Sequence, residues 1–515
     1  MFTKPLFIFF VLNSFLLLSQ HSTLHLNSFF KDKLFNDNLT NNHLGSSFFP
    51  ALDSDKNIFL VNQDTASFKN QFINHLFQKH LVEVEGADFH LSISPIIHFS
   101  IGKDQTNSIQ KTLFRNVRGF YIEGKLKENL TFVSTFSENQ ARYSLFETNF
   151  YAEHGELFPV DSLNYQIQNA VIPGAARTKP FKENGFDYSY ATGLIAYQPF
   201  KKMTILAGNS PQFIGDGYRS MLLSDNALPA PFFKLNYRLT KKWEINYMRM
   251  RVLNLIRKPA SNSVESYYDP KALSVNFITY HFSPKIAVSF FEGILWTMGG
   301  ASQTNRLNPW FYSPIPFLAE LTQNDQQIHS IVGMNVSIAS IKNSRIYSQL
   351  AIGSLEKAFA FQIGLRAYSP FGLKNTLLQL EYNQASENMY KSRVARLNYS
   401  SGNLPIAHSA GNAFSEFIVR FNSEYKRFYF DLKSNVYHFK NYSSQSLLPV
   451  LKIKPLITTI LFLQAVEIGY RINKKMNLCL FTSWQYRSDF NQVLLPTNQL
   501  FIGIKTAITN HYNDF

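Results

Sequence analysis

The stretch Phe232-Phe233-Lys234-Leu235-Asn236-Tyr237-Arg238-Leu239 alternates apolar Phe233, Leu235, Tyr237 and Leu239 with polar Lys234, Asn236 and Arg238. After Thr240-Lys241-Lys242 the alternation resumes, with Trp243, Ile245 and Tyr247 on one side and Glu244 and Asn246 on the other. Neighbouring side chains of an extended chain point to opposite faces. Period two broken by a short polar turn therefore predicts a hairpin with one apolar and one polar face.

The same unit recurs in both directions along the chain. Arg118–Leu126 and Leu130–Ser137 flank Lys127-Glu128-Asn129, and Asp187–Tyr197 and Met203–Gly208 flank Pro199-Phe200-Lys201-Lys202. Leu273–Phe282 and Ile286–Leu295 flank Ser283-Pro284-Lys285, and Ile331–Ala339 and Ile346–Gly353 flank Lys342-Asn343-Ser344. Ala358–Ala367 and Asn375–Asn383 flank Pro370-Phe371-Gly372-Leu373-Lys374, and Phe414–Asn422 and Arg427–Val436 flank Glu424-Tyr425-Lys426. Val466–Ile472 and Met476–Tyr486 flank Asn473-Lys474-Lys475. Every turn is short and carries lysine, whereas the connections between hairpins, about 138–186, 209–231, 253–271, 296–329, 384–413 and 437–462, are long and rich in Asn, Ser, Pro and Tyr.

Short turns at one end and long loops at the other describe an all-β transmembrane barrel of the outer-membrane type. With Leu91–Ile101 first and Leu500–Ile508 last, the eight hairpins give about 18 antiparallel strands. An even number leaves both ends of the barrel on the periplasmic side. In Arg427–Val436 the set Phe428, Phe430, Leu432, Val436 opposes Arg427, Tyr429, Asp431, Lys433, Asn435. A charge facing lipid at mid-membrane costs about 2–4 kcal/mol, so the charged set faces the lumen.

Composition agrees with this reading. Aromatic residues make up 15% of the chain and charged residues only 17%, and the formal net charge of +15 predicts an anionic neighbour. Lys and Arg are spread along the whole length rather than gathered in an arm or helical face, which excludes a nucleic-acid partner. The single cysteine, Cys479, excludes an intramolecular disulfide and a multi-thiolate metal site. At the N-terminus, Lys4 followed by the apolar run Leu6–Leu18 reads as an export signal too short to span a bilayer, so residues 1–20 are expected as a cleaved signal peptide. Residues 21–89 are expected as a periplasmic segment, and 90–515 as the barrel. In Asp64–Leu81, Phe68, Phe72, Leu76, Phe77 and His80 recur at helical spacing, predicting an amphipathic helix that lies on the barrel base or docks a partner.

The loop between the fifth and sixth strands, Phe213-Ile214-Gly215-Asp216-Gly217-Tyr218-Arg219-Ser220-Met221-Leu222-Leu223-Ser224-Asp225-Asn226, resembles the Wzi-like outer-membrane proteins, the capsule-assembly barrel family. The likeness is nearest to the Bacteroidetes branch that includes the gliding-motility-associated RemB-type proteins. Glu85-Gly86-Ala87-Asp88-Phe89-His90-Leu91-Ser92-Ile93-Ser94-Pro95, Leu380-Glu381-Tyr382-Asn383-Gln384 and His408-Ser409-Ala410-Gly411-Asn412-Ala413-Phe414-Ser415-Glu416 add to it, so it extends over most of the mature chain. The resemblance implies an 18-stranded barrel with periplasmic helices and does not imply an enzyme. The terminal Phe515 stands apart from the last alternating strand, and His511-Tyr512-Asn513-Asp514 lack apolar partners, so Phe515 is expected to be a tail residue.

The loop is the candidate site. Gly215 and Gly217 permit positive φ or close backbone approach, and Asp216 and Asp225 suit turn capping or pairing with Arg219. One expectation is therefore an inward-folding lid. The other is a sugar-binding loop, with Tyr218 as a stacking face and Asp216, Arg219, Ser224, Asp225 and Asn226 hydrogen-bonding to hydroxyls or carboxylates. Too few oxygen ligands are present for a calcium loop, and no metal or cofactor is expected. The proline-stiffened segment around Trp310, Phe311 and Tyr312 is expected in an outer loop, as a plug or rim against the barrel wall or as a saccharide or partner platform. No local catalytic motif is present; His408 and His281 are the histidines around which a hydrolase could be built, and Glu381 and Glu416 the carboxylates that could meet on lumen faces. The resulting expectation is a non-enzymatic barrel in contact with outer-membrane lipid that binds or organises an anionic surface polysaccharide. The alternatives are a gliding-motility or surface-organelle component acting through motility or envelope proteins, and a diffusion porin.

Overall fold

The computed structural model describes residues 22–23, 28–40, 44–53, 79–106, 112–127, 129–160, 164–175, 177–257, 268–298, 307–322, 327–339, 341–442, 447–449, 457–507, 510 and 512–515. The signal segment 1–20 and residues 64–78 of the expected amphipathic helix lie outside the described residues.

Eighteen antiparallel strands form the wall. They are β1 (Phe89–Asp104), β2 (Thr112–Leu126), β3 (Leu130–Arg142), β4 (Gly185–Phe200), β5 (Met203–Ser210), β6 (Ala230–Arg238), β7 (Trp243–Arg257), β8 (Tyr268–Ser283), β9 (Ile286–Thr297), β10 (Ile328–Ile338), β11 (Ser344–Gly353), β12 (Phe359–Tyr368), β13 (Thr376–Ala385), β14 (Phe414–Tyr425), β15 (Phe428–Tyr442), β16 (Ile457–Asn473), β17 (Leu478–Asp489) and β18 (Thr497–Thr506). Each pairs with its neighbour in sequence, and β18 closes the ring on β1 from Gln499 opposite Asp104 to Lys505 opposite His98. Closure removes the exposed edge that an open sheet would present to lipid. Every strand expected from the period-two pattern is present, most of them longer than expected, whereas some ends, such as those at Ile508, Ala339 and Met476, fall one or two residues short.

The pleat sorts the two faces. On β11, Arg345, Tyr347, Gln349 and Ala351 are buried inward, whereas Leu350 and Ile352 are exposed outward. On β15, Lys433 and Asn435 point into the lumen while Val436 lies on the exposed face. Polar side chains inside and apolar ones outside are what a wall between lipid and a wet interior requires.

The lumen is filled. Helix α1 (Ser28–Thr40) enters it, with Asp32 accepting hydrogen bonds from Arg366 of β12 and Arg420 of β14 at 2.5 and 3.2 Å. Residues 44–51 follow, and Phe48–Phe49 pairs as a short strand with Phe213–Ile214 of the loop between β5 and β6. Residues 21–89 are expected as a periplasmic segment, but α1 and 44–51 lie inside the barrel, where Asp32 and Phe35 meet lumen-facing guanidinium groups. Phe35 lies beneath the guanidinium groups of Arg345 and Arg366, at 4.5 and 4.8 Å from its ring centroid. The C-terminal tail also turns back into the barrel. It carries Phe515 to the long-loop end, where its ring stacks at 3.7 Å on Phe150 of α2 (Leu145–Glu153).

Candidate functional site

The loop between β5 and β6 folds inward as a lid. Gly215 has φ +124°, and a Cβ there would meet the Gln349 amide at 2.3 Å. At Gly217 a Cβ would meet the Arg219 carbonyl at 2.5 Å and the Glu381 carboxylate at 2.8 Å. Both glycines are therefore required by close packing against the far wall rather than by a ligand.

Asp216 and Arg219 are both buried, and each reaches a partner outside the lid. Asp216 is 2.8 Å from Arg345 of β11, and both side chains are fully enclosed. The Arg219 guanidinium contacts Glu416 of β14 at 3.4 Å, the Tyr437 hydroxyl at 2.8 Å and the Asp514 carboxylate at 3.0 Å. Asp225 accepts from Asn510 at 2.9 Å and from the Tyr512 hydroxyl at 2.8 Å. The expected pairing of Asp216 or Asp225 with Arg219 does not form, because the loop lies flat across the lumen and its charges meet the wall and the tail. Ser224 lies 3.5 Å from Asp225 through its hydroxyl, and Asn226 donates to the Pro405 carbonyl at 3.3 Å.

Carboxylates that local spacing did not single out as anchors hold the lid. Glu381 accepts from the backbone N–H of Tyr218 at 2.7 Å and of Arg219 at 3.0 Å, and from the Tyr347 hydroxyl at 2.7 Å. Asn383 bridges Glu381 and Glu416 at 2.9 and 3.1 Å. His408 donates through Nε2 to Glu416 at 2.7 Å while its Nδ1 accepts from the Ala410 N–H at 3.1 Å. Both ring nitrogens are thus engaged within the fold, and burial pushes the imidazole pKa down. His281 sits on β8 close to its turn. Three of the four stretches that carry the family resemblance therefore meet here: the lid, Leu380–Gln384 and His408–Glu416. The fourth, Glu85–Pro95, forms the start of β1 and the chain just before it.

Beside the lid, a cavity of about 350 Å³ remains between the tail, α1 and the wall formed by β1–β4 and β14–β18. Tyr188, Tyr190, Tyr218, Tyr429 and Tyr512 line it, and Arg115, Arg420, Lys433, Arg471 and Lys505 stand among Asp32, Asp431 and Glu467. The cations are paired: Lys433 with Asp514 and Lys505 with Glu467, both at 2.7 Å. Burial, then the Asp514 charge, raises the Tyr218 pKa, so its hydroxyl stays protonated and donates to Asp514 at 2.9 Å. Burial alone would raise the Asp514 pKa, but the Arg219 and Lys433 charges outweigh it and hold the carboxyl below its ordinary range.

The aromatic segment lies elsewhere. Pro309–Tyr312 forms a 3-10 turn, Phe311 is buried against Trp296 of β9, and Trp310 and Tyr312 are exposed. At the turn-side rim, Glu83, Glu85 and His90 bring three ligand-type atoms within 4.8 Å of one another, at an exposed spot where acidic groups commonly occur without an ion.

No protein-family model matches the chain, and no curated protein sequence matches it. Solved structures match in fold. The chain is similar to Wzi of Escherichia coli, an outer-membrane protein involved in group 1 capsule assembly and a carbohydrate-binding β-barrel, with TM-score 0.53 and 11% identity over 94% of this chain and 99% of that one. It is also similar to OccK7 (OpdD) of Pseudomonas aeruginosa, with TM-score 0.45 and 11% identity over 82% of this chain and 99% of that one. At these identities the likeness is one of fold, an outer-membrane β-barrel.

Proposed function

We propose that the protein is a non-enzymatic outer-membrane barrel, exported through a cleaved signal peptide, that binds or organises an anionic surface polysaccharide. The observation that supports it is the lumen cavity, where tyrosine side chains and guanidinium and ammonium groups line one concave surface beside the lid. Aromatic faces stack on sugar rings, and cations and amides take carboxylates and hydroxyls. The fold likeness to a carbohydrate-binding barrel agrees with this reading. Placement in the RemB-type branch is inferred from the quoted sequence stretches alone.

The lid, α1 and the tail across the lumen weigh against a diffusion pore. The test is retention of polygalacturonate, compared with neutral dextran, by the purified protein in detergent micelles. Retention of the acidic polymer, lost at high salt, is expected. Retention of neither polymer, together with unchanged surface attachment of polysaccharide in a deletion strain, would refute the reading.

A further inference from the structure

Arg249, Asn276 and Glu292 stand on the face of the wall that should be apolar. Arg249 pairs across β7 and β6 with Phe233, which is 44% exposed on the outside. Asn276 pairs with Tyr247 and Glu292, and Glu292 pairs with Val332, whose β11 partner Ile352 is 55% exposed. Direct cross-strand partners share a face, so the three polar groups belong to the lipid side. The opposite face of the same strands, Met248, Leu273, Val275, Phe291 and Leu295, packs into the lumen core.

Depth follows from the strands. Trp243, Tyr280 and Phe282 cluster at the turn end, with ring centroids 4.6 and 4.7 Å apart, as an interfacial aromatic girdle does. Arg249 lies six residues beyond Trp243, and Glu292 six beyond Ile286. At about 2.6 Å of axial rise per residue for a strand tilted about 40°, both lie roughly 16 Å above the turns, inside an apolar band about 25 Å tall.

The segment from Leu307 to Thr322 covers them. It belongs to the connection after β9, at the long-loop end, yet the Tyr312 carbonyl accepts from the Tyr247 hydroxyl at 3.0 Å, only four residues from Trp243. The Phe311 and Ser313 carbonyls accept from Arg249 at 2.5 and 2.6 Å, and the Phe317 N–H donates to Glu292, whose other oxygen takes the Asn276 amide at 2.6 Å. Phe311 inserts among Ala272, Ile294, Trp296 and Ile328 of the outer wall. Away from the wall the segment exposes Trp310, Tyr312, Ile315, Phe317 and Leu321.

We propose that Leu307–Thr322 is a membrane-embedded strap lying between the barrel wall and lipid, its polar backbone edge closing over Arg249, Asn276 and Glu292 and its apolar edge packing on acyl chains. The occupant of that apolar edge is lipid because the strap is continuous with the outward apolar belt around it and lies at its depth. Arg249 and Glu292 are then tolerated on a lipid-facing wall because main-chain groups replace the water they lack. The aromatic segment expected from sequence as a plug, rim or platform becomes part of the membrane surface.

Trp310 reports on this directly. The protein and its Trp310→Phe variant are refolded into phosphatidylcholine vesicles with plain or mid-chain-brominated acyl chains, and folding is confirmed by the heat-dependent gel shift of a barrel. The difference emission of Trp310 should fall at least twofold in brominated vesicles and stay insensitive to aqueous iodide. Quenching by iodide without bromine dependence would overturn the proposal by placing the strap in water. Insensitivity to both would overturn the lipid assignment, since a protein surface would then cover the strap. A chain keeping Trp310 as its sole tryptophan, with Trp243, Trp296 and Trp484 changed to Phe, repeats the measurement without subtraction.

Discussion

Asp216 and Arg345 form an ion pair with no access to water, 2.8 Å apart. Removing one member of such a pair strands the other charge, which costs about 3–5 kcal/mol, whereas an apolar replacement of both is often close to neutral. Asp216→Ala is therefore expected to lower stability in micelles by about 3–5 kcal/mol, read from urea unfolding, and Asp216→Leu with Arg345→Met should recover most of that loss. Asp514 gives a pH dependence. Its folded pKa lies below the ordinary value of about 3.9. Its contribution is therefore complete above that value and is lost as pH falls through the depressed one. Tail docking should hold at neutral pH and loosen only in acid below the ordinary carboxylate range, seen as faster proteolysis of the tail there. Asp514→Asn should show the looser tail at neutral pH as well.

Among the elements, the tail is held by interactions with the lid, the long-loop helix and the wall. Phe515 joins Phe146, Phe150 and Tyr151, and Asp514 joins Arg219, Lys433 and Tyr437. Burying one phenylalanine is worth about 1.5–3 kcal/mol, and the charged contacts add to it. Because the barrel closes between β18 and β1 without the tail, deletion of 510–515 should leave a folded barrel by the heat-dependent gel shift. Its conductance in planar bilayers should rise severalfold over the full chain, since the tail crosses the lumen beside the cavity. Equal conductance of the two would mean that the lid and α1 close the lumen by themselves.

At the scale of the molecule, the +15 charge, the cation-bearing cavity and the filled lumen point the same way: strong salt dependence of acidic-polysaccharide retention, with little ion conduction by the intact chain. Lys505→Ala, which leaves the lid contacts in place, should weaken polygalacturonate retention about tenfold, the size of one charged hydrogen bond; an unchanged affinity would remove Lys505 from the site. The strands and their count were legible in the sequence because pleat parity is local: each side chain's face follows from its neighbours, and the lysine turns mark where parity restarts. Chain direction likewise assigned the lid to the long-loop end between β5 and β6, and the alternation assigned Lys433 and Asn435 to the lumen. Which charges pair was decided only by tertiary structure. Asp216 meets Arg345 across 129 positions and Arg219 meets Asp514 across 295, separations that carry no periodic signal. The same holds for the aromatic segment around Trp310, where composition gives an apolar loop but only cross-strand register reveals that it lies on the outside of the wall. Sequence thus determined the barrel, because its pattern is a property of neighbours. Closure in three dimensions decided what fills it and what straps it, because those contacts join residues that the chain itself keeps far apart.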